Sequence, residues 1–93
     1  MTWTIEFKPA AIKSLSKINA VDKAKIREFL SVTLPAMENP RAKGEALHGV
    51  LRDYWKYRIG NFRVIAYIED KVVTVTVVEI GHRREVYDYK PKK

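Results

Sequence analysis

Three cations lie close together in the stretch YWKYRIGNFR, Tyr54 to Arg63, where Lys56, Arg58 and Arg63 alternate with large apolar and aromatic side chains. Guanidinium groups match paired phosphate oxygens through their planar donor forks, and tyrosines set among them can stack on unpaired bases. A second concentration follows in GHRREVYDY, Gly81 to Tyr89, which contributes His82, Arg83, Arg84 and Tyr87. Histidine exchanges protons near neutral pH, and tyrosine either donates a proton or stacks. These residue types suit a surface that grips a polyanion. The competing reading is a solvated outer face whose long cations protect a sheet from aggregation.

Strand periodicity decides which of these groups share a face. Trp55, Tyr57 and Ile59 fall on one side and Tyr54, Lys56 and Arg58 on the other. Gly60-Asn61 fits a two-residue hairpin turn of type II′, with glycine supplying the positive φ at the first turn position. That turn sets Ile59 opposite Phe62 and Arg58 opposite Arg63. A second turn at Asp70-Lys71 is expected to pair Ile68 with Val73, Ala66 with Val75 and Val64 with Val77. Extending that strand by strict alternation places Val78, Ile80 and His82 on the cationic face. Two like charges directly opposite one another destabilise a sheet, and rule violations of this kind tend to mark function.

Upstream, Trp3, Ile5 and Phe7 alternate with polar residues as in a half-buried strand. Pro9 opens a short amphipathic helix carrying Ala11, Leu15 and Ile18, which should end near Asn19. Asn19 with Asp22 resembles a capping box and starts a second helix whose apolar face is Ile26, Phe29, Leu30 and Leu34. Pro35 should stop or kink it. The segment from Glu38 to Gly49, holding Pro40 and Gly44, reads as irregular. The expected fold is α+β: an N-terminal strand, two helices, then a three-stranded antiparallel meander, with the helices packed on one face of the sheet.

Bulk properties narrow the function classes. A chain of 93 residues with 46% hydrophobic and 31% charged residues predicts one globular domain over 1–93 with a short basic tail at 90–93. A net charge of +7 favours an anionic partner. The absence of cysteine excludes disulfides and thiolate metal sites, and two histidines leave little for any metal. The longest apolar run, Val72 to Val78, is far short of the ~20 residues of a membrane span. The opening MTWTIEFK has no signal-peptide core, so a cytoplasmic location is expected.

The block GEALHGVLRDYWKYRIGNFRVIAY followed by GHRREVY is similar to the RelE/ParE toxin superfamily, and most closely to its RelE-type mRNA interferases. The resemblance extends over almost the whole chain. It implies a toxin of a type II toxin–antitoxin system that enters the ribosomal A site and cuts mRNA without metal or cofactor. In that chemistry the ribose 2′-hydroxyl attacks the adjacent phosphate. It also implies a cognate acidic, RelB-like antitoxin as partner.

By the same resemblance Arg63 is the transition-state phosphate ligand, and Lys56 and Arg58 hold the message and stabilise charge. Arg83 and Tyr87 match the terminal arginine and tyrosine of the RelE type, while Tyr54 stands where that type has a lysine. Tyr54 and Arg84 add to the RNA-binding surface. YoeB-like relatives use a glutamate as base and a C-terminal histidine as acid, and Glu45 and His82 stand at the matching places. Strict alternation turns Arg83 away from Arg63 unless Gly81 bends the chain. Rival readings are a ParE-type gyrase poison of the same fold, a non-catalytic RNA-binding module, and a basic face made only to receive an antitoxin.

Overall fold

The structure is a computed structural model and describes residues 2–82. Ile5 and Phe7 lie in β1 (Thr4–Phe7), with Trp3 just before it, and α1 (Pro9–Ser16) follows with Pro9 in its first turn. Asn19 then caps α2 (Ala20–Glu28): its side-chain oxygen accepts the Asp22 N–H at 3.0 Å, and its amide donates to the Asp22 carboxylate at 2.6 Å. The N-cap half of the capping box read from the sequence is therefore present, while the Asp22 carboxylate meets the Asn19 side-chain amide rather than its backbone N–H.

Pro35 has its effect one turn early. Residues Phe29–Thr33 widen into a π turn, and the chain closes with α3 (Leu34–Ala36). Proline lacks an N–H, and its ring crowds the carbonyl four residues before it. A locally wider turn relieves both problems and bends the helix. Ile26, Leu30 and Leu34, on either side of and within the wide turn, are all buried in the core with the sheet residues.

The sheet has five strands in the order β1-β5-β4-β3-β2, with β1 parallel to β5 and all other pairs antiparallel. Its meander consists of β3 (Trp55–Ile59), β4 (Phe62–Glu69) and β5 (Thr74–His82). The fifth strand, β2 (Glu45–Ala46), lies inside the segment expected to be irregular. It is only two residues long, too short to carry an alternation. The helices cover one face, where Tyr57, Val64, Ala66, Val75, Val77 and Ile80 join Ala11, Ile26, Leu30 and Leu34 in the core. No helix among the described residues is long and apolar enough to cross a membrane.

Two features of the second hairpin differ from expectation. The turn is a 3₁₀ turn at Asp70–Val72 followed by Val73 at φ +48, so Ile68 pairs with Val75 and Ala66 with Val77. This is a slip of two residues. Because side chains alternate with period two, it leaves the core face unchanged. The left-handed position could not be anticipated, since a β-branched residue rarely adopts it. Further along, the register shifts again between Ala66 and Ile65, where Val77 and Glu79 are the successive partners and Val78 is bulged out. A one-residue bulge does reverse the alternation beyond it. Ile80 thereby enters the core opposite Val64, and His82 pairs with Phe62.

The loop before β2 is tied down from beneath. Tyr57 is 1% exposed, and its hydroxyl donates to the Pro40 carbonyl at 2.6 Å, while burial pushes the phenol well above its usual pKa. Tyr57→Phe leaves the Pro40 carbonyl without this donor and is expected to cost about 1–2 kcal/mol of unfolding free energy, read from urea denaturation.

Candidate phosphate-binding site

The first hairpin is built as the spacing predicted. Gly60 has φ +59, Ile59 pairs with Phe62, and Arg58 pairs with Arg63. Lys56 lies opposite Ile65 on the same face, one step along the ladder. This face points away from the helices.

Arg63 is nevertheless only 4% exposed. Its Nη1 donates to the Phe62 carbonyl at 3.1 Å and to the Gly60 carbonyl at 3.5 Å, and its Nε is buried with no hydrogen-bond partner. Neither ion pair seen among the described residues involves it. Across β5 its partner is Gly81, which brings no side chain beside the guanidinium. A buried cation with donor capacity left over is poorly solvated and poised to receive an anion.

Glu45 and Lys56 are Cα partners across β2 and β3, and Lys56 Nζ lies 3.0 Å from Glu45 Oε1. The hydrogen bond from Lys56, reinforced by its charge, holds the Glu45 carboxyl below the usual carboxylate range. An ionised but weakly basic carboxylate is a modest proton acceptor at neutral pH. A cleft of about 520 Å³ opens beside this pair, lined also by the cations Lys43 and Arg58 and the apolar Phe29 and Ile59. Arg63 is not among its lining residues.

The pair's setting depends on the loop before it. Trp55 Nε1 donates to the Lys43 carbonyl at 2.7 Å, and Arg41 grips Asp70 through two hydrogen bonds of 2.8 and 3.0 Å. Sequence reasoning missed this clamp, although the Pro40-Arg41 dipeptide in a loop facing an acidic turn was the available signal. The Arg41 hydrogen bond lowers the Asp70 pKa. A carboxylate with a depressed folded pKa stabilises the protein above its unfolded pKa and loses that contribution as pH falls through the folded one. Asp70→Asn is thus expected to be less stable than the parent at pH 7 and indistinguishable from it near about pH 2, in parallel urea titrations.

The remaining expected site residues divide as follows. Tyr54 and Tyr67 stand edge to face with ring centroids 6.0 Å apart. His82 is not on the cationic face: the Val78 bulge turns it to the Phe62 side, where the two rings meet edge to face at 5.8 Å. Ile80 is likewise withdrawn into the core, whereas Val78 stays on the outer side with Tyr67 and Thr76. The alternation is already reversed before Gly81. Arg83, Arg84, Tyr87 and the tail at 90–93 lie outside the described residues.

Comparison with known proteins bears on this arrangement. Residues 5–87 match the family model of the ParE toxin of type II toxin–antitoxin systems, parDE. No curated protein sequence is a match. Among solved structures, the chain is similar to the toxin–antitoxin complex RelBE2 from Mycobacterium tuberculosis, with a TM-score of 0.81 and 26% identity over 89% of this chain and 100% of that one. It is also similar to the free E. coli toxin RelE in an arginine-to-alanine double mutant, with a TM-score of 0.72 and 23% identity over 94% and 92% of the two chains. The archaeal RelE–RelB complex from Pyrococcus horikoshii gives a TM-score of 0.72 at 23% identity, over 89% and 97%. These last two likenesses speak for the fold.

Proposed function

We propose that this chain, which belongs to the RelE/ParE toxin superfamily of type II toxin–antitoxin systems, is an endoribonuclease that cleaves mRNA in the ribosomal A site. The observation that supports this best is Arg63, a buried guanidinium with an unpartnered Nε on a rigid hairpin. A phosphate meeting it gains charge-assisted hydrogen bonds in a poorly solvated place, where they are strongest. Arg58 and Lys56, on the same face, add positive charge along the path of the message.

In the proposed reaction the ribose 2′-oxygen forms a bond to phosphorus as the bond to the 5′-oxygen breaks. The products are a 2′,3′-cyclic phosphate and a 5′-hydroxyl. A base takes the 2′-hydroxyl proton and an acid gives one to the leaving oxygen. Glu45, ion-paired with Lys56, and His82, turned toward Phe62, are less well placed for these roles than the resemblance implied. This leaves the proton transfers to Lys56 and Tyr87, while the arginines, which keep their protons, serve the phosphate. A cognate acidic, RelB-like antitoxin suits the chain's net charge of +7 and would neutralise the face by covering it.

The family model itself favours a second reading, a ParE-type poison of DNA gyrase. Primer extension on messages after induced expression separates the two. Cuts inside codons that vanish when the reporter's start codon is removed are expected. Intact messages together with stalled replication would replace the nuclease by the gyrase poison.

A further inference from the structure

The outer face carries more than cations. Along the β3–β4 ladder, Arg58 and Arg63 form one layer and Lys56 and Ile65 the next. Tyr54 and Tyr67 stand beyond them. Tyr67 is four residues from Arg63 on one strand, a separation of about 13 Å at ~3.3 Å per residue. Across the sheet the row continues through Thr76, the partner of Tyr67, to Glu6, the partner of Thr76. Ile65 is 1% exposed, but Tyr67 reopens to solvent at 40%. A cleft of about 430 Å³ lies against it, lined also by Tyr54, Thr76, Val78, Lys8, Glu6 and Glu69.

We infer that Tyr67, backed edge to face by Tyr54, is a stacking platform for one unpaired base of single-stranded RNA whose backbone runs on toward Arg58 and Arg63. This deepens the nuclease reading and rests on it for the identity of the ligand. In an edge-to-face pair each ring keeps at least one face uncovered by its partner, so the dyad is stiff without being closed to a third ring. Base–aromatic stacking tolerates any base and needs just such a flat, partly exposed ring. The two lining carboxylates, Glu6 and Glu69, outnumber the one lining ammonium, Lys8, so the cleft disfavours a phosphate. What enters here is therefore a base, with the phosphates directed to the cationic layers.

The test uses purified full-length protein and 2′-O-methyl RNA oligonucleotides, which cannot undergo 2′-hydroxyl attack, each carrying 2-aminopurine at one position. Quenching of the probe is expected at a single position. Tyr67→Leu should abolish that quenching and weaken binding by about 5- to 100-fold, whereas Tyr67→Phe, which keeps the ring, should bind within about threefold of the parent. An oligonucleotide abasic at the quenched position should show the same loss on the unaltered protein, which guards against misfolding of the leucine variant. Unaltered binding by Tyr67→Leu, absence of quenching at every position, or equal losses for leucine and phenylalanine would overturn the inference. Since the RNA is uncleavable, a quenching result that holds while ribosomal cleavage fails would strike only the nuclease reading. Intact ribosomal cleavage without Tyr67-dependent quenching would strike only the platform.

Discussion

Arg63→Met is expected to raise unfolding free energy by about 1–3 kcal/mol while lowering mRNA cleavage on programmed ribosomes by about 10²- to 10³-fold. The two effects have one cause. Arg63 is 4% exposed, its Nε is unpartnered, and it faces Arg58 across the hairpin, so the folded state carries both a desolvation cost and a like-charge repulsion. Methionine fills a similar volume without a charge and removes both. The same change removes the group best able to meet the charge that develops on phosphorus. Urea unfolding and a single-turnover cleavage assay on the same preparation check the claim. If stability and cleavage fall together, Arg63 is a structural residue and the phosphate-binding reading of the hairpin is wrong.

The hairpin that carries Arg63 was the most legible part of the chain. Its turn is specified by local chemistry, a glycine at positive φ followed by asparagine, and a two-residue turn fixes the register. The Asn19 cap is local in the same sense. What escaped was set by tertiary context. The Val78 bulge has no signature in a run of β-branched residues, yet it decides that His82 meets Phe62 rather than the cations. Val73 adopts a conformation its side chain disfavours, held by its N–H to the Asp70 carbonyl and by its own carbonyl, which accepts from Thr4. The two-residue β2 exists because Glu45 and Ala46 meet an edge strand. Alternation thus reported the faces of β3 and β4 correctly and failed where the count of residues between partners changed.

Gly44→Ala is expected to destabilise the protein by about 2–4 kcal/mol and to reduce cleavage further than the lost stability explains. Gly44 has φ +80, and a Cβ there would stand 2.3 Å from the Lys56 carbonyl oxygen and 2.7 Å from Trp55 Nε1. The first of these is backbone within a paired strand and cannot rotate away. The strain is relieved only if β2 lifts from β3, which parts Glu45 from Lys56 and opens the cleft between them. Gly60→Ala provides the contrast: φ is +59, but nothing lies within 4 Å, so only the left-handed strain of about 1 kcal/mol is expected. Glu45→Gln separates position from charge, because it removes the carboxylate without moving the backbone. Cleavage lost in Gly44→Ala but kept in Glu45→Gln would show that β2 serves to position Lys56. Equal losses would assign the role to the carboxylate, and an unperturbed Gly44→Ala would mean that β2 does not hold the site together.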